Sequence, residues 1–167
     1  MESPVIRGTA ATFGDHVSAD VVLPARHSFL PPEGMAENVL MDLSVEANRK
    51  VRAHSIVVAG EAFGYGTGRE SPARALRAAG VKAVIAKSFS RLFFRNAINN
   101  GILVIQCSEL CALPVSDGDE ISVDLKAGRI EWKGRSFPFP PVSDVVGNII
   151  GAGSLIDYGR QLLAGAS

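Results

Sequence analysis

The stretch from 55 to 105 constrains the fold most. Three short apolar runs, Ser55-Ile56-Val57-Val58-Ala59, Lys82-Ala83-Val84-Ile85-Ala86 and Ile102 to Ile105, are separated by two segments with helix punctuation. The first segment holds the glycine-rich string GEAFGYGTGRES and then a helix from Pro72 to Ala79, with Pro72 suited to its first turn and Gly80 to its end. In the second, Ser90 caps a helix running to about Asn100, and Gly101 stops it. Buried strands alternating with helices predict parallel pairing through right-handed crossovers, and hence an α/β fold.

The flanks extend this unit. Val5 to Ala11 reads as a strand, broken by Phe13-Gly14-Asp15-His16. Ser28 to Gly34, with two prolines and a glycine, reads as a loop, and Met35 to Val51 carries helical spacing with Val39, Leu40 and Leu43 on one side. After Pro114, Glu120 to Leu125 and Arg129 to Trp132 alternate as strands around a Lys126-Ala127-Gly128 turn, an antiparallel signature. Pro138 to Pro141 reads as punctuation, and Ser143 to Leu163 as two helical stretches parted near Gly151 and Gly153. No repeat or linker divides the 167 residues, so a single domain over 1–167 is expected.

Charge and cysteine content narrow the function. Lys and Arg together number 17 and Asp and Glu 17, so no global field draws the chain to nucleic acid or an anionic membrane. Met1 to Thr12 lacks a basic start with an apolar core, and no run approaches the roughly 18 apolar residues of a membrane span. A cytoplasmic location is the expectation. Cys107 and Cys111, spaced C-x3-C, are two thiols where a cluster needs three or four, and read as reduced, partly packed cysteines.

A glycine-rich turn between a buried strand and a helix aims backbone N–H groups and the helix's positive end at an anion. Residues 60–71 form such a turn, with neither G-x-G-x-x-G spacing nor the Gly-Lys-Ser/Thr end of a P-loop. It carries instead the Thr67 hydroxyl, the Arg69 guanidinium and the Glu70 carboxylate. Arginine forks onto carboxylates, and the competing role for Arg69 is a surface pair with Glu70 or another acid.

The string F-G-x-G-x-x-R-E over Phe63 to Glu70, followed by A-G-V-K-A-V-I-A-K-S-F-S-R-L-F-F-R-N-A-I-N-N-G over Ala79 to Gly101, resembles the swivelling-domain subunit of the isopropylmalate dehydratase, homoaconitase and aconitase family. The resemblance continues through Gly14-Asp15-His16-Val17-Ser18-Ala19-Asp20 and ends with Gly151 to Leu163. It implies a β/β/α swivelling domain, a mixed sheet with flanking helices, and a large partner subunit holding a 4Fe-4S cluster through three cysteines, none bound by this chain. It also implies that Thr67, flanked by the substrate-binding Gly66 and Gly68, stands where the family serine acts as general base, and that Arg69 clamps a substrate carboxylate. Where many relatives read G-x-N-F-G-C-G-S-S-R-E-H, the asparagine, cysteine, second serine and histidine are replaced by Ala62, Tyr65, Gly68 and Ser71.

The resemblance places Asp15 and His16 near the cleft as an acid–imidazole pair, the alternative being turn capping. It places Arg26 in a loop sensing the substrate's variable arm, the alternative being a solvated cation. Arg91 and Arg95, interleaved with Phe89, Phe93 and Phe94, read as the edge of a core-facing aromatic stripe rather than a nucleic-acid surface. Trp132 reads as strand packing and His54 as part of an exposed basic run. The resulting expectation is the small subunit of a hydro-lyase acting on a hydroxy di- or tricarboxylate, with isopropylmalate the default substrate. Homoaconitase-, dimethylmalate- or methylcitrate-type dehydratases are the competing enzymes, and a non-catalytic carboxylate-binding or regulatory module is the competing class.

Overall fold

A computed structural model describes residues 5–166; the ends of the expected 1–167 span, residues 1–4 and 167, lie outside them, as does the beginning of the Met1 to Thr12 segment. Seven strands form one mixed sheet in the order β4-β3-β2-β1-β5-β6-β7. β1 (Val5–Thr12) is its pivot, pairing parallel with β2 (Ile56–Val58) and antiparallel with β5 (Glu120–Asp124). The parallel half continues through β3 (Ala83–Ala86) and β4 (Leu103–Gln106), whose burial on both faces explains their unbroken apolar runs. The antiparallel half continues through β6 (Arg129–Trp132) and β7 (Arg135–Pro138). This is the mixed, helix-flanked α/β sheet that the sequence predicts.

The helices, in chain order, are α1 (Ala19–Val22), α2 (Pro32–Asn38), α3 (Val45–Ala53), α4 (Ser71–Ala78), α5 (Arg91–Asn99), α6 (Ser108–Cys111), α7 (Asp144–Ala152) and α8 (Leu155–Gly165). One core, centred on Leu76, Val84, Phe93 and Leu40, lies between the parallel strands and α1 to α5. A second, on the other sheet face, joins Ile56, Ile85 and Ile105 to Ile121, Val123, Ile130 and Trp132 of the antiparallel half. Trp132 is therefore strand packing, as expected, although its indole also donates to Asp119 Oδ2 at 3.0 Å.

Ser90 caps α5 by accepting from Phe93 N–H at 3.3 Å, as the sequence predicts. The helical spacing expected from Met35 to Val51 is carried by two short helices, α2 and α3. Buried Asn48 donates through Nδ2 to the carbonyls of Ala36, Glu37 and Val39 at 3.2, 3.3 and 2.7 Å, satisfying the end of α2 from within α3. β7 precedes the expected punctuation of Pro138 to Pro141, sharing only Pro138 with it, and is a strand the sequence reading does not assign: Lys133 and Gly134 have φ of 47° and 74°, which fits a tight hairpin, and Phe137 is buried. Pro138 is tolerated because β7 is an edge strand. His54 is less free than an exposed basic run implies, since its Nδ1 lies 2.7 Å from Thr9 Oγ1.

Candidate active site at the ends of the parallel strands

The parallel strands deliver two loops to one edge, where ligands bind in open α/β sheets. The first, residues 13–18, follows β1; the second, residues 59–70, follows β2. They are laced together by Gly60 N–H to Gly14 O at 3.1 Å, His16 N–H to Glu61 O at 2.7 Å, Gly64 N–H to Val17 O at 2.8 Å and Ala19 N–H to Tyr65 O at 2.8 Å. Asp15 adds its side chain, Oδ1 accepting from Glu61 N–H at 2.7 Å. The contact needs glycine at position 60, where a Cβ would sit 1.8 Å from Asp15 Oδ1.

The glycine-rich turn is held from behind by α5 and β3. Gly64 has φ of 79°, and a Cβ there would meet Phe93 Cγ at 2.2 Å. Asn96 Nδ2 donates to the carbonyls of Gly68 and Arg69 at 3.0 and 3.2 Å. Ser88 Oγ accepts from Ala62 N–H at 2.7 Å and donates to Glu61 Oε2 at 2.6 Å. The carbonyls of Gly68 and Arg69 are thus turned toward α5, and the outer edge of the turn forms a rim.

Thr67 and Arg69 occupy that rim. Thr67 Oγ1 accepts from Arg69 N–H at 3.3 Å, which is a local turn bond and not a helix cap. α4 begins after Glu70 and has no side-chain cap, so its first-turn N–H groups are left to the loop side. Arg69 is paired through Nη2 with Asp20 Oδ1, not with its neighbour Glu70, whose Oε1 accepts from Asn100 Nδ2 at 3.0 Å. Gly66 and Gly68 flank Thr67, Gly66 with φ of 104° and open space where a Cβ would stand.

The other predicted residues divide. Asp15 lies on the same edge, bonded into the turn. His16, with φ of 57°, packs edge-on against Tyr65 at 6.2 Å between ring centroids, which joins the two loops. Arg26 sits in a 3-10 turn (Ala25–His27) and pairs with Asp42 Oδ1 at 2.6 Å, so the structure ties it to the surface acid rather than to Thr67 or Arg69. Its loop still meets the site, because Ser28 Oγ lies 3.0 Å from Ser71 Oγ at the start of α4. Asp20, Asn96 and Ser88 were not among the predicted residues, although Asn96 lies inside the N-A-I-N-N run that carries the resemblance.

Beside Asp15 opens a cleft of about 250 Å³ lined by Thr12, Phe13, Gly60, Lys87 and Cys111. A larger hollow of about 800 Å³ covers the antiparallel half over Arg7, Glu120, Trp132 and Arg135. None of the predicted residues lines it, and we place the site at the strand ends. Burial, then the neighbouring Cys107, pushes the Cys111 thiol up to about 12, which opposes its ionisation as a metal ligand. Among the described residues no group of three or more His, Cys, Asp or Glu is arranged for a metal ion.

Fold and turn together define the C-terminal domain class of the aconitases, and the family model for the aconitase C-terminal domain matches residues 35–110. The chain is 40% identical over 158 residues to 3-isopropylmalate dehydratase small subunit 1 of Archaeoglobus fulgidus, covering 93% of this chain and 97% of that protein. It is 41% identical over 162 residues to the 3-isopropylmalate dehydratase small subunit of Methanosarcina acetivorans, covering 95% and 99%. A crystal structure of 3-isopropylmalate dehydratase from Methanocaldococcus jannaschii superposes with a TM-score of 0.82 at 33% identity, over 98% of this chain and 99% of that one. The chain belongs to the family of 3-isopropylmalate dehydratase small subunits.

Proposed function

We propose that the chain, acting as one swivelling domain in the cytoplasm, is the substrate-gripping small subunit of a two-subunit hydro-lyase that interconverts 2- and 3-isopropylmalate by dehydration and rehydration. The observation that carries this reading is the shared rim of Thr67 and Arg69, a hydroxyl and a guanidinium two residues apart on a turn whose Gly68 and Arg69 carbonyls are occupied by Asn96.

Arg69 exchanges Asp20 for a substrate carboxylate. Its pair with Asp20 is exposed, so it contributes at most about 1 kcal/mol and gives way to a bidentate ligand. Thr67 takes the proton from the carbon next to the departing hydroxyl. A threonine hydroxyl serves as base only where its alkoxide is stabilised, and the uncapped α4 N-terminus and Arg69 put positive charge beside it. Asp15 and His16 fix the facing loop. A 4Fe-4S cluster on the large subunit would supply the Lewis acid for hydroxyl departure; this chain offers only a buried Cys107 and a Cys111 held protonated.

The test is reconstitution. The chain mixed with a cluster-loaded large subunit of this family should dehydrate isopropylmalate, while each polypeptide alone should be inactive. Turnover by this chain alone, or none by the complex, contradicts the reading.

A further inference from the structure

Two acids compete for Arg69: Asp20, which reaches it from α1, and Glu70, its neighbour in sequence. Only Asp20 pairs with it. Glu70 has no cationic partner among the described residues, and its Oε1 is taken instead by Asn100 Nδ2 at 3.0 Å.

Asn100 is one of four buried polar residues, with Asn48, Ser71 and Ser154. Asn48 closes the end of α2, and Ser154 caps α8 by accepting from Asp157 N–H at 3.0 Å. Asn100 ends α5 and reaches outside its own helix as well. Both partners of its amide, Glu70 Oε1 and the Asn96 carbonyl at 2.8 Å, are pure acceptors, so the NH2 group faces them both. A donor on an ionised acceptor makes a firmer tether than a neutral pair. Asn96, one helical turn earlier on the same face of α5, holds the carbonyls of Gly68 and Arg69. Two asparagines thus grip three consecutive residues of the turn: Asn96 fixes the backbone of Gly68 and Arg69, and Asn100 draws the Glu70 carboxylate toward α5.

Resting on the reading of Arg69 as the carboxylate clamp, we propose that Asn100 is a positioning residue that withholds Glu70 from Arg69 and so keeps the guanidinium available to a substrate carboxylate. Released from Asn100, Glu70 competes for the guanidinium with the high effective concentration of a tethered group. One exposed pair with Asp20 yields to a bidentate ligand; two acids on one arginine raise the cost of displacing them. The competing role for Asn100 is a cap on the end of α5, through its bond to the Asn96 carbonyl. A cap has no use for Glu70, and that difference separates the two.

The experiment uses the reconstituted two-subunit enzyme and a double-mutant cycle. N100A should raise KM for isopropylmalate about three- to fivefold, the scale of an exposed ion pair, with kcat within about twofold of the parent, because a competitor for the clamp weakens ground state and transition state alike. E70Q alone should leave both within about twofold, and E70Q/N100A should return KM to the E70Q value. If N100A does not fold, N100D, which keeps the shape and replaces the donor by a second acid, should show the same KM effect and the same rescue by E70Q. A KM rise that E70Q fails to relieve makes Asn100 a cap and overturns the proposal, as does an unchanged KM in N100A. The second readout needs no turnover: the Nε–Hε signal of Arg69 in the full chain, assigned by its loss in R69K, should shift in N100A and return in E70Q/N100A. An unmoved signal overturns the proposal. An inactive parental complex in which the signal shifts and returns would instead sink the catalytic reading and keep the positioning role.

Discussion

The guanidinium of Arg69 rests on the carboxylate of Asp20, an ion pair that joins α1 to the glycine-rich turn across 49 residues of sequence. Sequence reasoning set a surface pair against a substrate clamp for this arginine, and the structure makes the two compatible. Asp20 holds the fork beside the glycine-rich turn, and an exposed pair is cheap to open.

The clamp therefore predicts unequal effects for its two members. Arg69→Lys loses the bidentate geometry, and a lost hydrogen bond to a charged group costs roughly 1.5–3 kcal/mol, so kcat/KM of the reconstituted enzyme should fall about ten- to a hundredfold. Asp20→Asn should change kcat/KM by less than about fivefold. Steady-state kinetics on both variants check this. Equal losses would make Asp20 the functional partner and Arg69 its anchor.

Gly60 predicts a steric coupling between the loops. Gly60→Ala forces a methyl group into Asp15 Oδ1, with Asp15 Cα 3.1 Å away, so the first loop must move. Overpacking of this kind costs about 1–3 kcal/mol, and activity should fall with stability. Gly147→Ala on α7, where a Cβ meets nothing within 4 Å, should be neutral or stabilising by up to about 1 kcal/mol. Thermal melting of the two variants separates site crowding from a general intolerance of alanine.

Much of this arrangement is legible in the sequence because its signals are local. Pro72 and Gly80 bracket α4, Ser90 caps α5, and the apolar runs mark the buried parallel strands. What the sequence hides depends on groups brought together from afar. The break between α2 and α3 follows from Asn48 reaching back to three carbonyls, and β7 follows from Phe137 finding the second core. The Arg69–Asp20 pair and the grip of Asn96 on the turn arise only once α1 and α5 are packed around it. Arg26 shows the converse, since its carbon-chain position near the site is legible but its pairing with Asp42 is not.

The only tryptophan reports on an acid with a displaced titration. The Ser116 N–H at 2.9 Å and the Trp132 indole hold the Asp119 carboxyl below its usual range, with Lys133 adding to the effect. A lowered folded-state value means that this contribution is present above the unfolded value of about 3.9 and is lost as pH falls through the lower folded value. Trp132 emission should show an acid transition below pH 4 or so, and Asp119→Asn should abolish it. A transition at the ordinary carboxylate value would contradict the assigned contacts.

Cys111 should resist alkylation. With its thiol pushed up to about 12, iodoacetamide at pH 8 should label it far more slowly than a free cysteine of pKa about 8.5, and unfolding should restore the rate. Mass spectrometry of the native and unfolded chain reads the difference. Labelling of the native protein at the free-thiol rate would contradict the buried environment.

The central claim rests on Thr67 as the base, and its substitution in the two-subunit enzyme is the most direct test. Its hydroxyl caps no helix and makes one 3.3 Å bond to Arg69 N–H, so Thr67→Ala should shift Tm by only a few degrees. General-base catalysis contributes about 10²–10⁴-fold, so Thr67→Ala should lower kcat at least a hundredfold while Thr67→Ser retains it within an order of magnitude. Near-parental kcat in Thr67→Ala would contradict the account and move the base to Asp15 or His16 on the facing loop.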